Sequence, residues 1–339
     1  MVILVSGGAG YIGSHTCVEL LNAGHDIIVA DNYCNACPSV LNRVQEITGR
    51  DFPAYHADMS TRIDVERIFS EHPDISAVIQ FAAYKSISES YQKPIEYYAN
   101  NINTTLNILE VMRRYDCHNL VFSSSAAVYG HPLSIPVTEE TPIGNCNSPY
   151  GMSKAFTEYI LKDCCRADSK LNVAILRYFN PIGAHPSGMI GENLAENSNN
   201  LFPCIAKVAV GKQEMLRIYG SDYSTVDGTG VRDYIHVVDL AKGHLSAIEK
   251  LLQKPGLVTY NLGTGKGYSV LEVLHAFENE CGHKLPYSFD SRRQGDIAVC
   301  WADASKAKEE LDWVAQYGLS EMCRDAWNWY KNNPDGYPK

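Results

Sequence analysis

The first half of the chain alternates short apolar runs with segments of helical periodicity. Val2–Val5 is entirely apolar and stops at a glycine cluster, as a strand buried on both faces does. Repeated alternation of this kind predicts an α/β fold with a Rossmann-type, doubly wound parallel sheet. The predicted strands are Val2–Val5, Asp26–Ala30, Pro53–His56, Ala77–Phe81, Leu120–Ser123 and Val173–Arg177. The predicted helices are Tyr11–Ala23, Ile63–Ser70, Tyr98–Arg114 and one that starts near Pro149.

The regular alternation breaks down after Phe179. Residues 181–231 are rich in glycine, asparagine, proline and serine, with helical character over Leu201–Val210. Asp233–Ile248 reads as a helix and Val258–Leu262 as a strand, and Val270–Glu280 and Leu319–Tyr330 are amphipathic. We therefore expect a smaller mixed α/β substrate domain. The predicted division is 1–180 for the nucleotide domain, with 232–262 returning to it, and 181–231 with 263–339 for the substrate domain.

Composition narrows the function classes. The chain has 339 residues, 45% apolar and 20% charged, with a formal net charge of −10. This balance is ordinary for a globular protein, and no basic run exceeds two residues. A nucleic-acid-binding surface is therefore not expected, whereas a small anionic ligand needs only a few local donors.

Compartment and metal content are inferred from the cysteines and histidines. Eleven cysteines lie scattered without a framework, which favours buried thiols in a reducing cytoplasm. The first strand begins at the N-terminus, which leaves no room for a signal peptide, and no apolar run has membrane-spanning length. Cys34-x-x-Cys37 lacks a second ligand pair, and the histidines show no ligand spacing, so we expect no metal.

A glycine motif follows the first predicted strand and opens the first helix. Gly8, Gly10 and Gly13 fit GxGxxG, and Gly7, Gly10 and Gly13 fit GxxGxxG. Glycines let a pyrophosphate approach the backbone, and a helix N-terminus supplies free N–H groups. Asp31, 18 residues beyond Gly13, has the spacing of an acceptor for a ribose 2′-hydroxyl. The motif therefore predicts a dinucleotide site that favours NAD over NADP.

Other strand ends should line the same groove, because ligands of such sheets bind beyond the carboxyl ends of the strands. Asp58 follows the third strand, although a helix cap is an alternative role for it. Phe81-Ala82-Ala83 follows the fourth strand and leads to Lys85. Ser123-Ser124-Ser125 ends the fifth, where we expect one hydroxyl to face the substrate and the other two to cap or turn the chain.

Tyr150 and Lys154 form a candidate proton-transfer pair. Their spacing of four places both on one face of the helix that starts near Pro149. At about 5 Å and an effective dielectric of ~20, an ammonium stabilises a phenolate by roughly 3 kcal/mol, or about two pKa units. A tyrosine and a lysine one turn apart are also common on ordinary helix surfaces, so the pair gains weight only from its surroundings.

These features together resemble the extended short-chain dehydrogenase/reductase superfamily. Longer segments resemble its UDP-glucose 4-epimerase family, and the resemblance runs from Met1 to Gly336. The segments are FSSSAAVYG (122–130), LRYFNPIGAHPSG (176–188), NNLFP (199–203), DGTGVRDYIH (227–236) and RRQGD (292–296).

The resemblance implies a set of residue roles. Tyr150 matches the catalytic base, Lys154 its ribose-bound partner and Ser125 the substrate hydroxyl donor. The implied cofactor contacts, with those predicted above, are Gly7, Gly10, Tyr11, Ile12, Gly13, Asp31, Asn32, Asn35, Asp58, Met59, Phe81, Ala82, Ala83, Lys85, Asn100, Tyr150, Lys154 and Phe179. The implied UDP-sugar contacts are Ser125, Tyr150, Asn180, Asn199, Asn200, Leu201, Tyr219, Arg232, Arg293, Asp296 and Cys300.

The resemblance also bears on substrate and assembly. Cys300 stands where some family members have a tyrosine, and those with a small residue there generally accept N-acetylhexosamines too. A thiol leaves room for an acetamido group, so we expect both substrate pairs; the alternative is that Cys300 merely packs. A homodimer is implied through helices around Asn103–Arg114 and Ser153–Cys165.

The sequence fits two classes of rival function less well, another sugar-nucleotide enzyme and a non-enzymatic protein. A sugar-nucleotide 4,6-dehydratase typically needs an Asp-Glu pair after the strand-five serine, and this chain has Ala126-Ala127 there; a decarboxylase is a related possibility. A non-enzymatic NAD-sensing protein would have no need of Tyr150, Lys154 and Ser125 together.

Overall fold

Seven parallel strands form the central sheet of the computed structural model, which describes residues 1–193, 200–293 and 295–338. The first strand, β1, lies inside the sheet, and the chain builds outward from it in both directions, which is the doubly wound arrangement predicted above. Across the sheet the order is β10 (Leu257–Leu262), β6 (Asn172–Tyr178), β5 (Asn119–Ser125), β4 (Ile75–Gln80), β1 (Val2–Ser6), β2 (Asp26–Asp31) and β3 (Ala54–His56).

Both faces of this sheet are buried, because successive side chains of a strand point to opposite faces. In β1, Ile3 and Val5 join one hydrophobic cluster and Leu4 joins the other. The strands therefore read as continuous apolar runs. Helices cover the two faces: α1 (Tyr11–Asn22), α2 (Ser39–Thr48), α3 (Arg62–Glu71), α4 (Ile87–Gln92), α5 (Pro94–Arg114), α6 (Pro149–Ala167) and α8 (Val237–Leu251).

The second region carries smaller sheets. Strand β9 (Val231–His236) pairs with β7 (Asn180–Ile182), β11 (Gly267–Ser269) and β13 (Val299–Cys300), and β8 (Leu216–Tyr219) pairs with β12 (Tyr287–Asp290). Helices α7 (Leu201–Ala209), α9 (Val270–Cys281), α10 (Ser305–Leu311) and α11 (Leu319–Asn332) complete the fold. The predicted fold class is confirmed.

The structure corrects several sequence-based element predictions. Residues 233–236 belong to β9, so the helix predicted over Asp233–Ile248 begins only at Val237. The sequence pattern also missed α2, α4 and every short strand of the second region. The strands of the second region are too short to show a period, and partners far away in sequence define them. Helix α2 does carry a helical spacing, at Val40, Leu41, Val44 and Ile47, which the sequence analysis overlooked.

Candidate active site

The glycine loop between β1 and α1 is packed too closely for side chains. Gly7 has φ +80°, and a Cβ there would lie 2.6 Å from the backbone nitrogen of Ala82. A Cβ on Gly13 would lie 2.3 Å from the carbonyl oxygen of Gly7. No side chain caps the N-terminus of α1 and no acidic residue lies in its first turn. These N–H groups and the helix dipole suit a pyrophosphate.

Asp31 ties the glycine loop to the end of β2. Its carboxylate accepts hydrogen bonds from the backbone nitrogens of Ala9 (3.0 Å) and Tyr33 (2.9 Å). Burial raises the pKa of Asp31, and these two hydrogen bonds oppose the rise. The sequence predicted a ribose acceptor here, and the structure adds a second role in shaping the loop.

The neighbouring strand ends place further predicted residues along the groove. Strand β3 ends at His56, so Asp58 lies two residues beyond it, where it accepts hydrogen bonds from the Ser60 side chain and backbone and from Asn32. Burial acts to raise the Asp58 pKa, but the hydrogen bonds outweigh it and the pKa is lowered. Thr61, not Asp58, is the residue that precedes helix α3.

The β4 end and α5 form the other side of the groove. Phe81, Ala82 and Ala83 follow β4 directly. The Lys85 ammonium lies 3.7 Å from the Glu192 carboxylate, and the Asn100 amide donates to Asn101. The remaining predicted cofactor positions differ in exposure: Met59 and Phe179 are buried, Tyr11, Ile12 and Asn32 are partly buried, and Asn35 is exposed.

Tyr150, Lys154 and Ser125 meet beyond the carboxyl end of β5. Ser148 caps α6 by accepting from the backbone nitrogen of Gly151 at 3.1 Å, and Pro149 occupies the first helical turn. Ser125 ends β5, and its side chain lies near enough to that of Tyr150 to lower the Tyr150 pKa. One turn along α6, the Lys154 Nζ donates to the carbonyl oxygen of Ser123 at 2.7 Å.

Burial dominates the electrostatics of this pair. Burial raises the pKa of Tyr150, and the hydrogen bond with Ser125 opposes the rise. Burial lowers the Lys154 pKa from 10.5 to about 7, while the Glu158 carboxylate acts in the opposite direction. In the polypeptide without cofactor, burial is the largest influence on both pKa values, and the expected stabilisation of the phenolate by Lys154 and the nicotinamide stays a prediction.

Apart from Ser125 and Tyr150, the predicted UDP-sugar residues that the structure describes lie in the second region. The charges of Arg232, Arg293 and Asp296 all act on the buried Tyr234, although they come from β9 and from the segment after β12. The guanidinium of Arg293 lies 5.0 Å from the centre of the Tyr219 ring and donates to Asp296 at 2.9 Å. Asn180 starts β7, Asn200 precedes α7 and Leu201 starts it. Asn199 lies outside the described residues.

Comparison with known proteins shows which family has this sequence. A sequence model of the family described as GDP-mannose 4,6 dehydratase matches residues 4–326. The chain is 56% identical to UDP-glucose 4-epimerase of Bacillus subtilis over 337 residues, covering 99% of each protein. The chain belongs to the UDP-glucose 4-epimerase family.

Solved structures of the epimerase family superpose along the whole chain. The Bifidobacterium longum UDP-glucose 4-epimerase in complex with NAD⁺ and UDP is 50% identical, with a TM-score of 0.95 and coverage of 99% of this chain and 100% of that one. The UDP-Glc/GlcNAc 4-epimerase of Campylobacter jejuni is 36% identical, with a TM-score of 0.85 and coverage of 98% and 99%.

Membership of the epimerase family agrees with the residues that follow Ser125. Ala126 and Ala127 begin a 3₁₀ helix, Ala126–Tyr129, and the Ser125 hydroxyl accepts from the backbone nitrogen of Ala127 at 3.2 Å. No acidic side chain occupies these two positions, where a 4,6-dehydratase would need one. Among the described residues no cluster of three or more metal-ligating side chains occurs, and no helix has the length and apolarity to cross a membrane.

Sequence reasoning missed a buried polar network behind the epimerase site. The guanidinium of Arg177 on β6 donates to both carboxylate oxygens of Glu158, with the shortest contact at 2.7 Å, and to the Tyr129 hydroxyl at 2.9 Å. Ser124 donates to the same Glu158 carboxylate, one turn from Lys154. A lone arginine at position 177 in the otherwise apolar run of β6 was the available signal.

The roles expected for two of the three serines were wrong. Ser124 binds Glu158, and the Ser123 hydroxyl is hydrogen-bonded to Tyr178, whose own hydroxyl lies 2.7 Å from His244 Nε2. Both serines therefore join buried networks, and Ser125 is the one that caps a turn. The partners of Ser123 and Ser124 lie on β6 and α6, which only the tertiary fold brings next to β5.

Cys300 is buried, and hydrogen bonds hold the backbone around it on two sides. Its strand, β13, pairs with β9 at Arg232. On the other side, the Val137 backbone nitrogen donates to the carbonyl of Trp301 at 2.9 Å. The backbone nitrogen of Ala302 donates to the buried Asp233 carboxylate at 3.1 Å. The backbone around Cys300 is therefore held from both sides.

Proposed function

We propose that this protein is an NAD-dependent UDP-hexose 4-epimerase that interconverts UDP-glucose and UDP-galactose. The observation that carries the proposal is the meeting of Tyr150, Ser125 and Lys154 at the sheet edge that also holds the glycine loop. The Bifidobacterium relative with the same fold was solved with NAD⁺ and UDP. A dehydratase is not favoured, because Ala126 and Ala127 cannot act as acid and base.

The residues present fit NAD. Gly7, Gly10 and Gly13 leave space for the pyrophosphate at the uncapped start of α1, and Asp31 suits the 2′-hydroxyl of the adenosine ribose. A carboxylate there would repel a 2′-phosphate, which disfavours NADP. We assign Asp58 and Asn100 to the far end of the groove and Lys154 to the nicotinamide ribose.

Tyr150 is the proposed base for the sugar 4-hydroxyl. When bound, NAD supplies the acceptor for hydrogen from C4 and a positive charge that favours the phenolate. Tyr150 takes the hydroxyl proton, and the Ser125 hydroxyl holds the same oxygen in place. Once the resulting 4-keto sugar has rotated in the site, C4 would regain its hydrogen on the opposite face, and Tyr150 returns the proton to the 4-oxygen.

UDP anchors the substrate while the hexose turns. Arg232 and Arg293 carry guanidinium groups, which match phosphate oxygens in pairs. We place the diphosphate between them and the nucleoside near Tyr219 and Leu201. Tight binding of UDP combined with loose binding of the hexose permits rotation without release of the keto sugar.

Replacing Tyr150 by phenylalanine tests this assignment. The variant should retain bound NAD and lose epimerase activity by at least 10³-fold, roughly the upper part of the range for general acid–base catalysis. Near-normal turnover would exclude Tyr150 as the base. Stoichiometric net production of NADH from UDP-glucose by the wild-type protein would instead indicate a dehydrogenase.

We further propose that UDP-GlcNAc and UDP-GalNAc are substrates. The thiol of Cys300 is small, and the pinned backbone of β13 makes its volume decisive. Cys300→Tyr should abolish activity on the N-acetylated pair and spare the plain pair, because a phenol would occupy the acetamido space. Cys300→Ser is the matched control and should keep both activities. Equal loss on both pairs in the tyrosine variant would count against this role.

We propose a homodimer formed through α5 and α6. The two helices pack side by side and expose apolar side chains, including Leu106 and Phe156, whose ring lies 5.9 Å from that of Tyr98. A second copy would cover this stripe. Leu106→Glu should give monomers in sedimentation analysis, whereas Val314→Glu, at an equally exposed apolar position, should not.

We also propose a cytoplasmic location, which the free thiols at all eleven cysteines support.

A further inference from the structure

Tyr223 has a buried hydroxyl that no hydrogen bond satisfies. The residue lies in the loop between β8 and β9 and is 7% exposed. Its hydroxyl has no partner in the described part of the chain. An unsatisfied buried polar group costs about 1–3 kcal/mol, so a phenylalanine would suit the folded polypeptide better. A hydroxyl kept at such a cost points to a ligand.

The Tyr223 ring is held in place from several sides. Gly220 has φ +85°, and a Cβ there would lie only 2.4 Å from the ring. The guanidinium of Arg292 lies 4.1 Å from the ring centre and is held by the carboxylate of Asp222, at 2.7 Å from Nε. The backbone nitrogen of Tyr223 donates to Gly228 at 3.0 Å. The ring is therefore fixed for as long as Arg292 stays paired with Asp222.

The charges around Tyr223 are those of the proposed UDP site. Burial raises the pKa of Tyr223, and the charges of Asp296, Arg292, Arg232 and Arg293 also act on it. Arg232, Arg292 and Arg293 against the carboxylates of Asp222 and Asp296 leave one net positive charge, which favours an anionic ligand over the neutral uracil ring. The side chains of Arg292 and Arg293 are 46% and 45% exposed, so they can move when a ligand arrives.

We propose that the Tyr223 hydroxyl donates a hydrogen bond to the diphosphate of the bound UDP-sugar, after Arg292 swings away from the ring. This inference rests on the proposed function and adds Tyr223 to the residues expected to contact the UDP-sugar.

Tyr223→Phe tests the inference in the NAD-loaded protein. The dissociation constant for UDP should rise about tenfold, the usual range for one hydrogen bond to a charged group. The dissociation constant for uridine, which lacks the diphosphate, should be unchanged. Without UDP, the variant should unfold at the same or higher urea concentration than wild type, because the hydroxyl removed has no partner.

Tyr337→Phe is the matched control. The Tyr337 hydroxyl is also buried, but it donates to the Gly191 carbonyl and accepts from the Gly191 nitrogen, both at 3.0 Å. This variant should unfold at lower urea concentration and bind UDP like the wild type. Unchanged UDP affinity in Tyr223→Phe, equal weakening of UDP and uridine, or a loss of stability like that of the control would each overturn the inference. Failure of the wild-type protein to bind UDP would instead reject the proposed function, and this inference with it.

Discussion

Replacing Lys154 by methionine should separate the stability of this protein from its catalysis. Lys154 is 4% exposed, and burial lowers its pKa from 10.5 to about 7. At about 1.4 kcal/mol per pKa unit, this difference corresponds to about 5 kcal/mol for holding the ammonium inside the fold. Methionine removes that cost and fills a similar volume.

The gain is partly offset by a lost hydrogen bond. Lys154 donates to the Ser123 carbonyl at 2.7 Å, and leaving that carbonyl without a partner costs about 1–3 kcal/mol. Below pH 7 we therefore expect Lys154→Met to raise the free energy of unfolding by about 2–4 kcal/mol in cofactor-free protein. Epimerase activity should fall by orders of magnitude in the same variant.

The stability difference between Lys154→Met and wild type should change with pH. Below pH 7 the lysine is protonated in both folded and unfolded chains, so the cost of burial is complete. Between pH 7 and about 10.5 the folded chain releases the proton while the unfolded chain keeps it, so wild-type stability rises with pH. The advantage of the variant should shrink across this interval and reverse above it, where only the lost hydrogen bond remains.

Urea unfolding from pH 6 to pH 10 measures this difference. Lys162→Met, at an exposed position on the same helix, should give a nearly constant difference from wild type. For Lys154→Met, a free-energy difference that stays constant or grows with pH would refute the reasoning. Such a result would mean that the ammonium is not destabilised by burial in the folded chain.

Two further substitutions probe the same site. Ser125→Ala should raise the Tyr150 pKa, because the hydrogen bond with Ser125 lowers it; the acid limb of the pH–rate profile should move to higher pH and kcat should fall 10- to 100-fold, and an unchanged limb would contradict this coupling. Gly7→Ala should yield protein purified without NAD and destabilised by about 1–3 kcal/mol, because its Cβ would strike backbone 2.6 Å away at φ +80°. Gly49→Ala shares a positive φ but has open space, so it should keep NAD; equal NAD loss in both would point to strain alone.

The sequence by itself determined the architecture around the cofactor. Its signals are local in sequence. Val2–Val5 is a continuous apolar run because its strand is buried on both faces, and the glycines that follow are needed where a pyrophosphate approaches the backbone. Asp31 stands at a fixed spacing from those glycines. Tyr150 and Lys154 share a helix, so their spacing alone placed them together. Helix and strand bounds in this half agree to within a few residues, except that α5 starts at Pro94 and not at Tyr98.

Only the tertiary structure decided the electrostatics and the substrate side. Burial is the largest influence on the pKa values of Tyr150 and Lys154, and it depends on the elements packed over them. Arg232 and Arg293 come together from elements about sixty residues apart, and short strands with distant partners leave no periodic trace. The unpaired hydroxyl of Tyr223 is likewise invisible in sequence, since a missing hydrogen bond is a property of the folded surroundings.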